Sequence, residues 1–379
     1  MKRRFIVNKH QSTNPMTTSF SGILEIDQRR HGFVRGISPS LSAARTDVFV
    51  PPSVISRYNL RQGVIVAGTA VSSGNRSPEA NAIETINGFD TEKWRDIKEF
   101  AGREAVSPTE VIKLEGPNSD RAMRIVDLFC PLGKGQRALI VSPPKAGKTV
   151  LLQQIAQAIN ANSPEIELIV LLIDERPEEV TDMRRTIKGE VFASSNDNDL
   201  LSHVRLAQLV PEYAKRKVEA GKDVVLLLDS LTRIGRAFNV HQKSSGRTMS
   251  GGVDIRALEV PKRIFGAARK FEDGGSLTIV ATVLIDTNSR MDELIFQEFK
   301  GTGNMELVLD RDLANERIFP AINLSMSGTR REELLFGADL QEYQSLRRAI
   351  ARLSPREGMQ NVLKLVGRYP TNTKLLANF

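Results

Sequence analysis

The chain has 379 residues, 40% of them hydrophobic and 26% charged, with a formal net charge of +8. That length accommodates two or three domains with cores of their own, and the basic surplus favours a polyanionic partner without specifying one. A lone Cys130 excludes a disulfide framework, and the four histidines lack metal-ligand spacing, so neither disulfides nor a structural zinc is expected. The sequence has no run of about eighteen apolar residues and no long apolar stretch behind its basic start, so no membrane partner is expected and the chain is read as cytoplasmic.

Residues 1–18 are polar and carry Lys2, Arg3, Arg4 and Lys9, which reads as a basic mobile tail. From 19 to 89 the texture changes to five short alternating runs, at 20–26, 32–36, 47–50, 64–71 and 82–86. Five such strands predict a small all-β barrel, and an OB-fold-like barrel is the common one that grips single strands. A short helix or turn is expected between 51 and 60, and a hairpin loop at 74–81. Phe33, Phe49 and Tyr58 lie close in sequence to Arg30, Arg35, Arg45 and Arg57, a composition that suits a base-stacking platform beside a basic groove and equally suits a barrel core. Residues 90–125 are charged and poorly periodic, include Trp94, and read as a connector.

From 126 to 379 strands alternate with helices. Apolar runs at 138–141, 168–173, 224–228 and 277–285 read as strands buried on both faces. The segment 148–160 reads as a helix with Leu151, Leu152, Ile155 and Ile159 on one side, stopped near Ser163-Pro164. Alternation of this kind implies right-handed crossovers and a parallel sheet, with its site at the carboxyl ends of the strands. There stands Ser142-Pro143-Pro144-Lys145-Ala146-Gly147-Lys148-Thr149, a P-loop-like turn from strand to helix with serine where the strict pattern has glycine. Its unpaired backbone N–H groups suit a phosphate, Lys148 the outer phosphates and Thr149 a magnesium ion.

Asp174 and Glu175 end one buried strand and Asp229 another. Asp229 suits the metal and Glu175 the attacking water; the blander alternative is that both cap strand ends or pair with Arg176 and Arg233. Arg330, in Gly328-Thr329-Arg330-Arg331, follows a turn of small residues that can project it into a neighbouring subunit; an ion pair with Glu332 or Glu333 is the plainer alternative. Two glycine-rich stretches, 244–252 with Arg247 and 300–304 with Lys300, could follow a phosphate chain or serve only as connections.

The P-loop, Asp174-Glu175-Arg176-Pro177-Glu178-Glu179-Val180, Phe265-Gly266-Ala267-Ala268-Arg269, Glu298-Phe299-Lys300-Gly301-Thr302-Gly303-Asn304 and Ser327-Gly328-Thr329-Arg330 together resemble the Rho family of bacterial transcription termination factors. The resemblance runs from about residue 19 to near the C-terminus. It implies an α/β RecA-like P-loop ATPase domain behind the barrel, and a homohexamer that hydrolyses ATP with Mg2+ at subunit interfaces. Such a ring would thread nascent single-stranded RNA and act on the RNA polymerase elongation complex. By the same resemblance Pro144, Lys145, Ala146, Gly147, Lys148, Thr149 and Val150 hold ATP, Phe319 packs on adenine, and Thr149 and Asp229 serve the metal. Glu175 would activate water, with Arg176 near the γ-phosphate and Arg330 as an arginine finger. Arg247, Lys300, Gly301, Thr302 and Gly303 would meet RNA in the pore, and Phe33, Arg35, Phe49 and Arg57 at the barrel. His31 stands where the family commonly has a second aromatic, and 79–82 lacks a tyrosine often found there, so an altered loading site is expected. Two other readings remain: a rotary or export-type ATPase subunit, and a non-motor RNA-binding regulator.

Overall fold

A computed structural model describes residues 16–72, 77–117, 119–241 and 252–379. The chain divides into two compact units between Ile97 and Lys98.

The first unit holds β1 (Met16–Ile26), β2 (Gly32–Arg35), β3 (Val48–Val50), α1 (Pro52–Arg57), β4 (Ile65–Ser72), β5 (Glu79–Ile86) and β6 (Phe89–Asp90). They form one sheet in the order β3-β2-β1-β4-β5-β6, and a parallel bridge from Phe49 to Glu79 joins β3 to β5 and closes it into a barrel. Alternation puts Val66 and Ala70 of β4 inside, and two register shifts between β4 and β5 bring Ala80, Ile83 and Ile86, spaced three apart, to the same core. Gly68 lets the strands approach closely: a Cβ there would lie 2.0 Å from the Ala82 carbonyl oxygen. The four longer sequence-predicted strands and the short one at 47–50 all appear, and β1 starts earlier, at Met16, taking up the end of the expected tail. Of the expected hairpin loop at 74–81, residues 74–76 lie outside the described residues.

The stretch 90–125 is not a connector. Helix α2 (Thr91–Asp96) carries Trp94, 1% exposed, into the barrel core, where Phe89 and Ile97 pack beside it. Sparse but correctly placed apolar side chains cap the barrel, a pattern too thin to register as periodicity. Beyond Lys98 the chain belongs to the second unit: β7 (Ala105–Val106) pairs with a later strand, and α3 (Arg121–Phe129) starts at Asp120, whose carboxylate caps the Ala122 N–H.

The second unit continues with β8 (Arg137–Ser142), α4 (Lys148–Asn162), β9 (Glu167–Glu175), α5 (Pro177–Thr186), β10 (Glu190–Ser195), α6 (Leu200–Glu219), β11 (Asp223–Asp229) and α7 (Leu231–His241). After these come α8 (Glu259–Phe265), β12 (Arg269–Phe271), β13 (Ser276–Leu284), α9 (Arg290–Lys300), β14 (Met305–Val308), α10 (Arg311–Asn315) and β15 (Gly328–Thr329), then the C-terminal helices. The main sheet runs β10-β9-β11-β13-β8-β14-β15, parallel except at β15. Its central strands are buried on both faces, as their unbroken apolar runs require. Cys130, at the end of α3, is buried with its Sγ 3.6 Å from the Glu306 carbonyl oxygen of β14, and burial pushes its thiol up to about 12.

Candidate active site

At the carboxyl edge of the sheet β8 ends at Ser142, and after five intervening residues α4 begins at Lys148. Ser142 is the last residue of an extended strand and its hydroxyl donates to the Pro143 carbonyl oxygen, so glycine is not needed there. The left-handed conformations fall instead at Lys145 (φ 66°) and Gly147 (φ 93°). Gly147 supplies the second without a Cβ penalty and leaves the first N–H groups of α4 facing outward.

Three strands deliver the charges. Lys148 Nζ donates to Asp229 Oδ1 at the end of β11, and lies 3.3 Å from Glu175 Oε1 at the end of β9. Asp229 also accepts from Thr282 Oγ1 of β13 at 2.7 Å. Burial alone would lower the Lys148 pKa, but Asp229 and Glu175 outweigh it and hold the ammonium above its ordinary range. Glu175 is pushed up to about 7 by burial and by the Asp229 charge. Arg233 of α7 binds both candidate carboxylates of β9: Nη1 is 3.0 Å from Asp174 Oδ2, and Nη2 donates to Glu175 Oε2 at 3.3 Å. The sequence alternative of an arginine partner for Glu175 therefore holds for Arg233, while Arg176 stays exposed as the residue preceding α5. Thr149 Oγ1 donates to Glu179 Oε2 at 3.1 Å. Thr282 and Glu179 were not singled out from the sequence; both lie in other elements and meet the loop only in the fold.

Two cavities meet above this turn, sharing Lys145, Gly147 and Val150. One, of about 480 Å³, is lined by Lys148, Thr149, Glu175, Arg176 and Arg233. The other, of about 440 Å³, is lined by Gly147, Val150, Gln154 and Phe319, the last 48% exposed. Pro144 lines the first cavity and Ala146 the second.

Arg330 stands at the opposite, amino edge. Its N–H donates to the Asn304 carbonyl oxygen, next to β14, whose Met305 registers with Ala138 near the start of β8. The fold therefore does not bring Arg330 to Lys148 within one chain. Beside it Arg137 donates to the carbonyl oxygens of Thr302 and Ala268, and burial, followed by the charges of Arg269 and Arg330, holds the Arg137 pKa below its ordinary range. The 300–304 stretch packs at this edge. Lys300 and Gly301 are exposed, whereas Thr302 is tied to Arg137 and Gly303 is buried, so the stretch is a turn held at its second half. Arg247 lies outside the described residues.

In the barrel, Phe33 and Phe49 are half-buried with ring centroids 5.7 Å apart, and His31 lies 5.7 Å from Phe49, so an imidazole joins the cluster. Arg35 sits 5.0 Å over Phe33 but is bound at 2.6 Å to both Glu25 and Asp47. Arg57 is exposed, 5.5 Å from the Tyr58 ring.

A parallel sheet with a phosphate-type loop, a half-buried lysine between two strand-end carboxylates and an adjoining apolar cavity defines a P-loop ATPase domain of RecA-like architecture. The family described as ATP synthase alpha/beta family, nucleotide-binding domain, matches residues 122–329, and the Rho termination factor RNA-binding domain matches residues 20–92. Transcription termination factor Rho of Borreliella burgdorferi is 48% identical, over 97% of this chain and 72% of its own. The Pseudomonas fluorescens factor of that name is 51% identical, over 91% and 84%. The chain belongs to the transcription termination factor Rho family. Among solved structures, an ATPase from the type III secretion system of pathogenic bacteria aligns with a TM-score of 0.55 and 27% identity, covering 60% of this chain and 66% of that one. The assembled ATPase EscN of enteropathogenic E. coli aligns at 0.54 and 24%, covering 72% and 61%, a likeness of fold. No described helix is long and apolar enough to cross a membrane.

Proposed function

We propose that the protein is an RNA-dependent ATP hydrolase that threads single-stranded RNA through a homohexameric ring and thereby terminates transcription at the RNA polymerase elongation complex. The observation that carries this reading is the placement of two half-sites on opposite edges of one sheet: Lys148, Glu175 and Asp229 at the carboxyl edge, Arg330 at the amino edge. Arg330 would complete the pocket of an adjacent subunit, stabilising charge that develops on the transferred phosphoryl group. In each pocket the turn from Pro144 to Val150 would cradle the phosphates, with Phe319 against the base.

Lys148 would exchange its carboxylate partners for phosphate oxygens, and Glu175 would take the proton of the attacking water. Arg176, exposed on the same cavity, would bind the terminal phosphate. The donor set suits Mg2+: Thr149, Asp229 and Glu179 offer hard oxygens, few enough that phosphates and water complete the shell. When bound, Mg2+ would neutralise phosphate charge; Thr149 and Asp229 would hold it.

The barrel would load RNA by stacking bases on Phe33 and Phe49, with Arg57 near the backbone. Arg35, already paired twice, would orient Phe33 and not neutralise phosphate. Arg247 would contact RNA inside the ring, and Lys300 and Gly301 remain accessible for it, with Thr302 and Gly303 shaping their turn. The test is ATP hydrolysis with and without single-stranded RNA and DNA homopolymers. A strong rise with RNA alone is expected. Equal rates throughout would favour a secretion-type ATPase, to which the fold is also close, and no hydrolysis would favour a regulator.

A further inference from the structure

We propose that His31 is a proton-dependent phosphate contact of the barrel, so that single-stranded RNA is held more tightly with the imidazole protonated than with it neutral. This rests on the reading of the barrel as an RNA-loading surface. His31 ends the turn between β1 and β2, and its ring centroid lies 5.7 Å from that of Phe49, which lies 5.7 Å from that of Phe33. The imidazole is thus the third ring of the cluster, with 38% of its side chain exposed.

Asp27 sets the turn and the ring together. Its Oδ1 accepts the N–H groups of Arg29 at 2.8 Å and of His31 at 2.9 Å, and its own N–H donates to the His31 carbonyl oxygen at 2.9 Å. The other carboxylate oxygen stands 3.4 Å from His31 Nδ1. An ionised carboxylate only accepts, so Nδ1 carries the proton of the neutral ring and Nε2 is the nitrogen that takes up a second. The Asp27 carboxyl is held below its ordinary range, first of all by the His31 N–H, and so stays ionised. The pair therefore bears one negative charge when the imidazole is neutral and none when it is protonated. Around it, Arg29 and Arg30 are exposed on the same turn, and Glu79 is exposed opposite Phe49 on β5. Asp47, at the approach to β3, is already bound to Arg35 at 2.6 Å. Of these side-chain types the imidazole is the one that changes charge between about pH 5 and pH 8. A phosphodiester strand whose bases stack on Phe33 and Phe49 comes against the Asp27 charge, which the imidazolium cancels.

The experiment is equilibrium binding of a short oligouridylate, whose bases take up no proton in this range, to the full chain without nucleotide. Affinity should rise about three- to tenfold from pH 8 to about pH 5.5. The fall of log affinity with log salt should steepen by about 0.7 over the same interval, as expected for one further neutralised phosphate. His31→Phe keeps a ring beside Phe49 and should show one affinity and one salt slope across the range. His31→Lys, charged throughout, should show the tighter binding at both ends. A flat profile in the unsubstituted protein, a pH dependence that survives in His31→Phe, or a rise in affinity with no change of salt slope would overturn the proton-dependent contact alone. No binding of the oligomer at any pH would overturn the RNA-loading reading, and this inference with it.

Discussion

A cation held between two carboxylates occurs in both units of this chain, with different consequences. In the barrel Arg35 lies between Glu25 and Asp47, both at 2.6 Å; in the ATPase unit Lys148 lies between Glu175 and Asp229. The first cluster joins β1, β2 and the approach to β3, and its guanidinium cannot release its proton, so it serves as a clasp. The second stands at the mouth of a cavity, beside a turn that faces outward, and one of its acids is pushed up to about 7. An ammonium is a point charge that can exchange one oxyanion for another, whereas a doubly bound guanidinium is geometrically committed. The same residue classes thus make a fastening in one place and a poised reaction site in the other.

Substitutions at the two clusters should separate these roles. Lys148→Ala should reduce RNA-stimulated ATP hydrolysis to background. Arg330→Ala should lower it by about a thousandfold or more. Neither protein alone should turn over, but mixed and reassembled subunits should regain part of the rate, because some interfaces then join an intact Lys148 to an intact Arg330. A mixture that stays inactive would break the two-edge reading.

Glu175→Gln should cost about a hundredfold or more in kcat. In the unsubstituted enzyme the acceptor must be ionised, and Glu175 holds its proton below about 7, so kcat/KM for ATP should rise with pH through that value. A flat profile between pH 6 and pH 8, an interval of about one unit on either side of that value, would remove Glu175 as the acceptor.

Phe33→Ala should weaken single-stranded RNA binding by about tenfold, consistent with the loss of one stacked base, and leave ATP binding unchanged. Filter binding against nucleotide titration distinguishes the two. Arg35→Ala should act on the barrel fold, destabilising it by about 3 kcal/mol because Glu25 and Asp47 lose their shared partner. Trp94 is the chain's single tryptophan and sits in the barrel core, so its fluorescence in a urea titration reads that change directly.

Much of the carboxyl edge is legible in the sequence because strands buried on both faces leave long apolar runs, and whatever follows such a run must stand at the sheet's end. That logic finds Lys148, Glu175 and Asp229. It does not find Thr282, which points at Asp229 from within an apolar strand, or Glu179, which meets Thr149 across two helices. Nor does it find the commitment of Arg35: the Arg–Glu and Arg–Asp pairs are separated by ten and twelve residues and depend on strand register. Trp94 escaped because a six-residue helix is too short to display a period. Glycine content leaves 301–303 undetermined, because the backbone there is held by the Arg137 guanidinium and the Phe299 carbonyl, contacts that composition does not encode.

The buried Cys130 has a practical side. As the only sulfhydryl in the chain, shielded and with its thiol pushed up to about 12, it is nearly inert to maleimides at neutral pH. A cysteine engineered at an exposed position such as Gly301 would accept a fluorophore alone, giving a site-specific reporter without first deleting the native sulfur.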